Sequence, residues 1–98
     1  MSKFGDLINS NIPVLIQFTA EYNPECEQMQ QIIEEVALEM GDKLTIINID
    51  THKNPELVEA LRIKIAPTLM VYKNGAMVWR QSGITDKNSL VMIAKAFN

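Results

Sequence analysis

The fold of this chain is decided by one stretch that runs from a strand through a turn into a helix. It reads Val14-Leu15-Ile16-Gln17-Phe18-Thr19-Ala20-Glu21-Tyr22-Asn23-Pro24-Glu25-Cys26. The segment 14–19 is almost continuously apolar and rich in strand formers, which is typical of a strand covered on both faces, as in a parallel α/β sheet. Apolar residues then recur at steps of three and four: Cys26, Met29, Ile32, Ile33, Val36, Ala37 and Met40. This periodicity predicts an amphipathic helix that stops at Gly41.

The segments on either side of this unit continue an alternation of helices and strands. Apolar residues at helical spacing, Phe4, Leu7 and Ile8, predict a short opening helix. Residues 44–49 predict a second buried strand. Asn54 followed by Pro55 predicts a capped helix start, because proline is tolerated at the first helical position.

The C-terminal third adds a hairpin and a last helix. Asn74-Gly75 between two apolar runs is a strong short-range hairpin signal, and Asp86 is positioned to cap the final helix. We expect a mixed four-stranded sheet with helices on both faces, and with the last two strands antiparallel to the first two. The expected strand order is 44–49, 14–19, 68–73, 76–81.

Composition places the chain among small proteins with one core. Its 98 residues are 47% hydrophobic and 21% charged, and the formal net charge is −3 with bases interspersed among acids. No apolar run approaches the ~20 residues that span a bilayer, and the N-terminus lacks the basic and apolar regions of a signal peptide. We therefore expect a single domain over residues 1–98, located in the cytoplasm, with no nucleic-acid or membrane partner.

The cysteine count limits the chemistry. Cys26 is the only cysteine and His52 the only histidine, which excludes an internal disulfide, a dithiol built from this chain alone and a cysteine-rich zinc site. No second metal ligand is spaced near His52, so we expect no metal and no cofactor. The simplest interpretation of Cys26 is a small buried hydrophobe at the core edge of a helix.

The order of elements and several motifs resemble the thioredoxin family. Thioredoxins carry Phe-x-Ala-x-Trp-Cys-Gly-Pro-Cys where this chain has residues 18–26, and Ala66-Pro67-Thr68 is similar to the family's cis-proline tripeptide. Asn74-Gly75 with the preceding lysine, and Gly83 ahead of the last helix, are also similar to the family. The resemblance covers about residues 14–97. It implies an α/β thioredoxin fold that here lacks the family's usual first strand.

The resemblance also indicates where this chain departs from the family's redox site. Asn23 stands at the position of the attacking cysteine, and only the resolving-position thiol, Cys26, remains. Gln17 stands where thioredoxins place an aspartate thought to assist deprotonation of the second cysteine. Because thiol–disulfide exchange proceeds through a thiolate and a mixed disulfide, the family's two-thiol cycle cannot run here in its usual form.

Three functions are compatible with these residues. The first is a redox-inactive, or weakly monothiol, thioredoxin-like protein that binds a protein or peptide segment by strand addition in a groove formed by Tyr22, Ala66, Pro67 and Gly83. The second is a protein-disulfide oxidoreductase of cell redox homeostasis that acts through Cys26 alone, with glutathione or with a partner thiol. The third is a degenerate scaffold with a structural or dimerising role. We favour the first, acting as a monomer.

Overall fold

The computed structural model describes residues 3–98 and contains the predicted succession of helices and strands. Its elements are α1 (Lys3–Ile8), β1 (Val14–Thr19), α2 (Pro24–Met40), β2 (Thr45–Asp50), α3 (Pro55–Ala60), β3 (Thr68–Lys73), β4 (Ala76–Ser82) and α4 (Lys87–Ala96). A short 3-10 turn at Gly41–Lys43 joins α2 to β2. The second strand begins one residue later than the apolar run predicts, at Thr45 rather than Leu44.

The four strands form one sheet in the predicted order, β2-β1-β3-β4. Strand β1 pairs parallel with β2 and antiparallel with β3, and β3 pairs antiparallel with β4. The prediction that both last strands oppose the first two is therefore wrong for β4. The hairpin reverses the chain a second time, so that β4 runs in the direction of β1 on the far side of β3.

Helices cover both faces of the sheet and create two separate apolar clusters. On one face Leu15 packs with Met29 of α2 and Leu90 of α4. On the other face Ile16 and Phe18 pack with residues of α1 and α3. Successive residues of β1 thus enter different clusters, and the strand is buried on both faces. This double burial explains why its sequence is almost continuously apolar rather than alternating.

Two of the predicted capping residues behave differently in the structure. Asp86 caps α4 as predicted, since its carboxylate accepts a hydrogen bond from the Ser89 N–H at 3.1 Å. Asn54 precedes α3 but its side chain does not cap the helix. Its Nδ2 instead donates to the Asp50 carbonyl oxygen at 2.9 Å. The prediction of a side-chain cap at Asn54 is wrong: its φ of −135° and ψ of 54° lie outside the extended conformation in which Asn23 and Asp86 cap their helices.

The sheet has two ends, which we name by the segments that lie there. At the end that we call the hairpin end, the turn between β3 and β4 is bonded to the segment after α1. The Asn74 N–H donates to the Ser10 carbonyl oxygen at 2.8 Å, and the Gly75 N–H donates to the Ile8 carbonyl oxygen at 3.0 Å. The opposite end, which we call the proline end, is where β1, β2 and β4 finish and β3 begins. It carries the candidate site residues.

Candidate functional site

Cys26 lies in the first turn of α2, at the proline end. Its side chain is free and only 4% exposed. Three glutamates near it in sequence, Glu21, Glu25 and Glu27, are exposed to solvent. The periodicity of the helix predicted this burial, and the structure confirms the thiol as part of the apolar side of α2.

Asn23 is the residue before α2, and its side chain makes two hydrogen bonds. Its Oδ1 accepts from the Cys26 N–H at 3.0 Å, which caps the helix. Its Nδ2 donates to the Ala66 carbonyl oxygen at 3.3 Å, across a sequence separation of 43 residues. The amide therefore ties the start of α2 to the segment that precedes β3. An asparagine followed by proline before an amphipathic helix is a signal that could have predicted the cap, but not the bond to Ala66.

The segment from Ile65 to Pro67, which we call the proline loop, is held by hydrogen bonds of its own. The Ala66–Pro67 peptide bond is cis, as the resemblance implies. Thr68 Oγ1 donates to the Ile65 carbonyl oxygen at 2.7 Å. The Gly83 N–H donates to the Pro67 carbonyl oxygen at 2.8 Å. Three of the four residues predicted to form a groove, Ala66, Pro67 and Gly83, are thus joined directly or as chain neighbours.

Gly83 is required by its backbone conformation. It has a φ of 84°, in the left-handed region that glycine enters at little cost. A Cβ built on this residue would meet no heavy atom within 4 Å. Open space therefore lies beside Gly83 in the described structure, and its place in a peptide groove stays a prediction.

Tyr22 is the fourth predicted groove residue, and it stands apart from the others. Its φ is 57° and its side chain is 95% exposed. Two further apolar side chains at this end, Ile65 and Ile84, are 55% and 38% exposed. The sequence analysis did not single out these two isoleucines, because their exposure follows from the loops that carry them and not from any local pattern.

Gln17 is the least expected feature of the site. It lies on β1 between Ile16 and Phe18, and its side chain is fully buried. Neither Gln17 Nε2 nor Oε1 has a hydrogen-bond partner among the described residues. An unpaired buried polar group costs about 1–3 kcal/mol of folding free energy. At this position a neutral amide is thus kept in the core without a polar contact to offset its desolvation.

Asp86, which caps α4, is a titratable group at the proline end. Hydrogen bonds from the Ser89 hydroxyl and N–H lower the pKa of Asp86 below its ordinary value.

A cavity of about 360 Å³ lies beside Asn23 and Ala66, and His52 and Lys64 also line it. Within residues 3–98 no three histidine, cysteine, aspartate or glutamate side chains are grouped as a metal site would need. Over the same residues, no helix has the length and apolarity to cross a membrane.

Comparison with known proteins gives the class of this fold and site. A family profile described as Thioredoxin matches residues 1–96. The chain is 33% identical over 86 residues to a thioredoxin of Rickettsia bellii, covering 88% of this chain and 82% of that protein. It is 34% identical over 91 residues to the chloroplastic thioredoxin Y of Oryza sativa, covering 92% of this chain and 54% of that protein.

Solved structures agree with these sequence relationships. The oxidised thioredoxin of Plasmodium falciparum superposes with a TM-score of 0.80 at 28% identity, covering 99% of this chain and 91% of that one. A mutant thioredoxin from Halobacterium salinarum superposes with a TM-score of 0.86 at 23% identity, covering 99% and 84%. The architecture is the α/β thioredoxin fold. On the family match and the sequence identity, the chain belongs to the thioredoxin family.

Proposed function

We propose that this protein is a thioredoxin-family binding module that does not run a dithiol redox cycle. One observation carries the proposal. The chain contains a single cysteine, Cys26. Asn23 lies three positions before it, and its side chain makes two hydrogen bonds within the fold. An amide cannot attack a disulfide, and exchange requires a thiolate that can form a mixed disulfide. Because the residue is only 4% exposed, Cys26 is also poorly accessible to a protein disulfide.

The partner in this proposal is an extended protein or peptide segment that lies along the proline loop. The groove consists of Tyr22, Ala66, Pro67 and Gly83. Support comes from the exposed ring of Tyr22 and from the Ala66 N–H, which has no hydrogen-bond partner among the described residues. An unpaired backbone donor beside exposed apolar side chains suits strand addition. The proposal includes a cytoplasmic monomer with no nucleic-acid or membrane partner.

A second candidate is a monothiol oxidoreductase. The thioredoxin names of the relatives, at 29–34% identity, favour it. In this chemistry the Cys26 thiolate attacks a disulfide, forms a mixed disulfide and releases one thiol. Glutathione or a partner thiol then attacks the mixed disulfide, so that Cys26 is regenerated and a new disulfide is released.

Reduction of insulin by dithiothreitol separates the two candidates. We expect the wild-type protein and the Cys26→Ser variant to give the rate of dithiothreitol alone. Repeating the assay with glutathione tests the monothiol route, for which Cys26→Ser is the control. Turnover comparable with that of an authentic dithiol thioredoxin, lost in Cys26→Ser, would overturn the proposal.

The Asn23→Cys variant tests the alignment on which the redox argument depends. A helix N-cap and the third helical residue lie within the ~7 Å Cα separation that a disulfide needs. We therefore expect both thiols to disappear from a thiol titration after mild oxidation, while wild-type Cys26 stays free. Thiols that stay free in Asn23→Cys would contradict the match between Asn23 and the attacking cysteine.

Peptide binding is tested by NMR titration of the ¹⁵N-labelled protein with an extended apolar peptide. We expect shifts at Ala66 and Gly83, and weaker binding by Tyr22→Ala. The matched control is Leu38→Ala, because Leu38 is 86% exposed on α2 and lies outside the groove. Equal effects of the two variants, or the absence of shifts around the proline loop, would contradict the groove.

A further inference from the structure

The carbonyl groups of the proline loop are already bonded within the molecule. Thr68 Oγ1 donates to Ile65 at 2.7 Å. Asn23 Nδ2 donates to Ala66 at 3.3 Å, and the Gly83 N–H donates to Pro67 at 2.8 Å. Within residues 3–98 the Ala66 N–H has no partner. The loop therefore presents one unbonded donor, the Ala66 N–H, whereas each of its three carbonyl oxygens already accepts a hydrogen bond.

This pattern matters for any strand added along the loop. In a hydrogen-bonded antiparallel pair, two facing residues exchange both of their backbone hydrogen bonds. A peptide residue opposite Ala66 would accept from the Ala66 N–H and would donate its own N–H to the Ala66 carbonyl. That carbonyl already accepts from Asn23. The peptide N–H must then share the oxygen with an amide or lose its bond, and a buried unpaired N–H is costly.

We propose that Asn23 is a specificity-determining residue of the groove, one that selects segments whose residue opposite Ala66 has no N–H to donate. This inference rests on the peptide-binding function proposed above. Proline is the residue that meets this condition, because it has a carbonyl acceptor and no backbone N–H. The exposed ring of Tyr22, next to Asn23 in the chain, offers the aromatic surface on which proline-containing segments dock.

Two substitutions separate the bond to Ala66 from the helix cap. Asn23→Ser keeps an oxygen that caps α2, since serine and asparagine are similarly good N-caps, but its side chain is too short to reach Ala66. Asn23→Asp keeps the size of the side chain and the capping acceptor and has no donor for Ala66. Either variant removes the side-chain donor to the Ala66 carbonyl and keeps an oxygen that can cap α2.

The probe is an acetylated and amidated peptide, Lys-Val-Ala-Leu-Lys, whose terminal lysines complement the exposed glutamates Glu21, Glu25 and Glu27. Its N–H groups are removed one at a time by N-methylation of the three central residues, and a further peptide carries proline in the middle. Each peptide is titrated by NMR against the wild-type protein, Asn23→Ser and Asn23→Asp. The readout is the ratio of the dissociation constants of each N-methylated peptide and its parent.

We expect the wild-type protein to tolerate N-methylation, or proline, at the position that faces Ala66. In both variants methylation at that one position should weaken binding about fivefold relative to wild type, the effect of one net hydrogen bond. Ratios that are the same in all three proteins would overturn the role of Asn23 and leave peptide binding intact. If no peptide shifts the Ala66 or Gly83 amides in any of the three proteins, the proposed function fails and the specificity with it.

Discussion

The two ends of the sheet are closed in different ways. At the hairpin end, backbone groups of two segments bond to each other, Asn74 to Ser10 and Gly75 to Ile8. At the proline end a backbone bond from Gly83 to Pro67 is accompanied by a side-chain bond from the Asn23 amide to Ala66. The backbone bonds depend little on side-chain identity, whereas a single substitution removes the bond from Asn23.

Exposed apolar side chains occur at both ends of the sheet. Leu7 and Met77, near the hairpin end, are 42% and 43% exposed, and Ile65 at the proline end is 55% exposed. Among the described residues, the N–H groups of Asn74 and Gly75 at the hairpin end are bonded, whereas the Ala66 N–H at the proline end is not.

The largest expected effect on stability comes from comparing a buried and an exposed aromatic residue at the proline end. Phe18, the penultimate residue of β1, is fully buried, whereas Tyr22 is 95% exposed. We expect Phe18→Ala to lower the free energy of unfolding by about 3–5 kcal/mol and Tyr22→Ala to change it by less than about 0.5 kcal/mol. Urea denaturation measures both. A comparable decrease in the free energy of unfolding for Tyr22→Ala would show that the Tyr22 ring packs against the protein and is not exposed for binding.

A second effect concerns the core behind the proline end. Gln17→Met removes two buried polar atoms that have no partner within residues 3–98, with little change of volume. We therefore expect the free energy of unfolding to rise by about 1–2 kcal/mol. The exposed Gln81 of β4 provides the control, since Gln81→Met should be close to neutral. A decrease in stability for Gln17→Met, measured by urea denaturation, would mean that the amide is used in the folded state.

A third comparison uses one glycine at each end. Gly75 and Gly83 have φ values of 83° and 84°, and a Cβ on either would meet no heavy atom within 4 Å. We expect Gly75→Ala and Gly83→Ala to destabilise the protein equally, by about 1 kcal/mol, because alanine is strained at positive φ. Only Gly83→Ala should also weaken peptide binding in the NMR titration. Equal binding by both variants would remove Gly83 from the groove.

The smallest effect is electrostatic and lies at the start of α4. The pKa of Asp86 is lowered by the Ser89 hydroxyl and N–H, so the folded state binds the carboxyl proton less tightly than the unfolded state. The contribution to stability is therefore present at neutral pH and is lost as the pH falls through the Asp86 pKa. Ser89→Ala should raise that pKa toward its ordinary value of 3.8, as followed by NMR. An unchanged pKa would contradict the role of the hydroxyl.

Some of the site could be predicted because the signals are local. The helical spacing that includes Cys26 predicted its burial, and the Asn74-Gly75 pair predicted the hairpin that the structure contains. The side-chain cap expected at Asn54 does not form, because the backbone of Asn54 lies outside the extended region in which Asn23 and Asp86 cap their helices. Nothing in the sequence near Asn54 indicates this backbone conformation, since the turn from β2 into α3 sets it.

The sequence by itself determined the elements, the two-sided burial of β1 and the count of one thiol, since these follow from periodicity and composition. Only the tertiary structure decided that Asn23 meets Ala66. The same holds for two further features of residues 3–98: Gln17 is buried without a hydrogen-bond partner, and the Ala66 N–H is unbonded. The physical reason is separation along the chain. Residues joined across 43 positions are brought together by the packing of helices on the sheet, and no local pattern encodes the distance between their side chains.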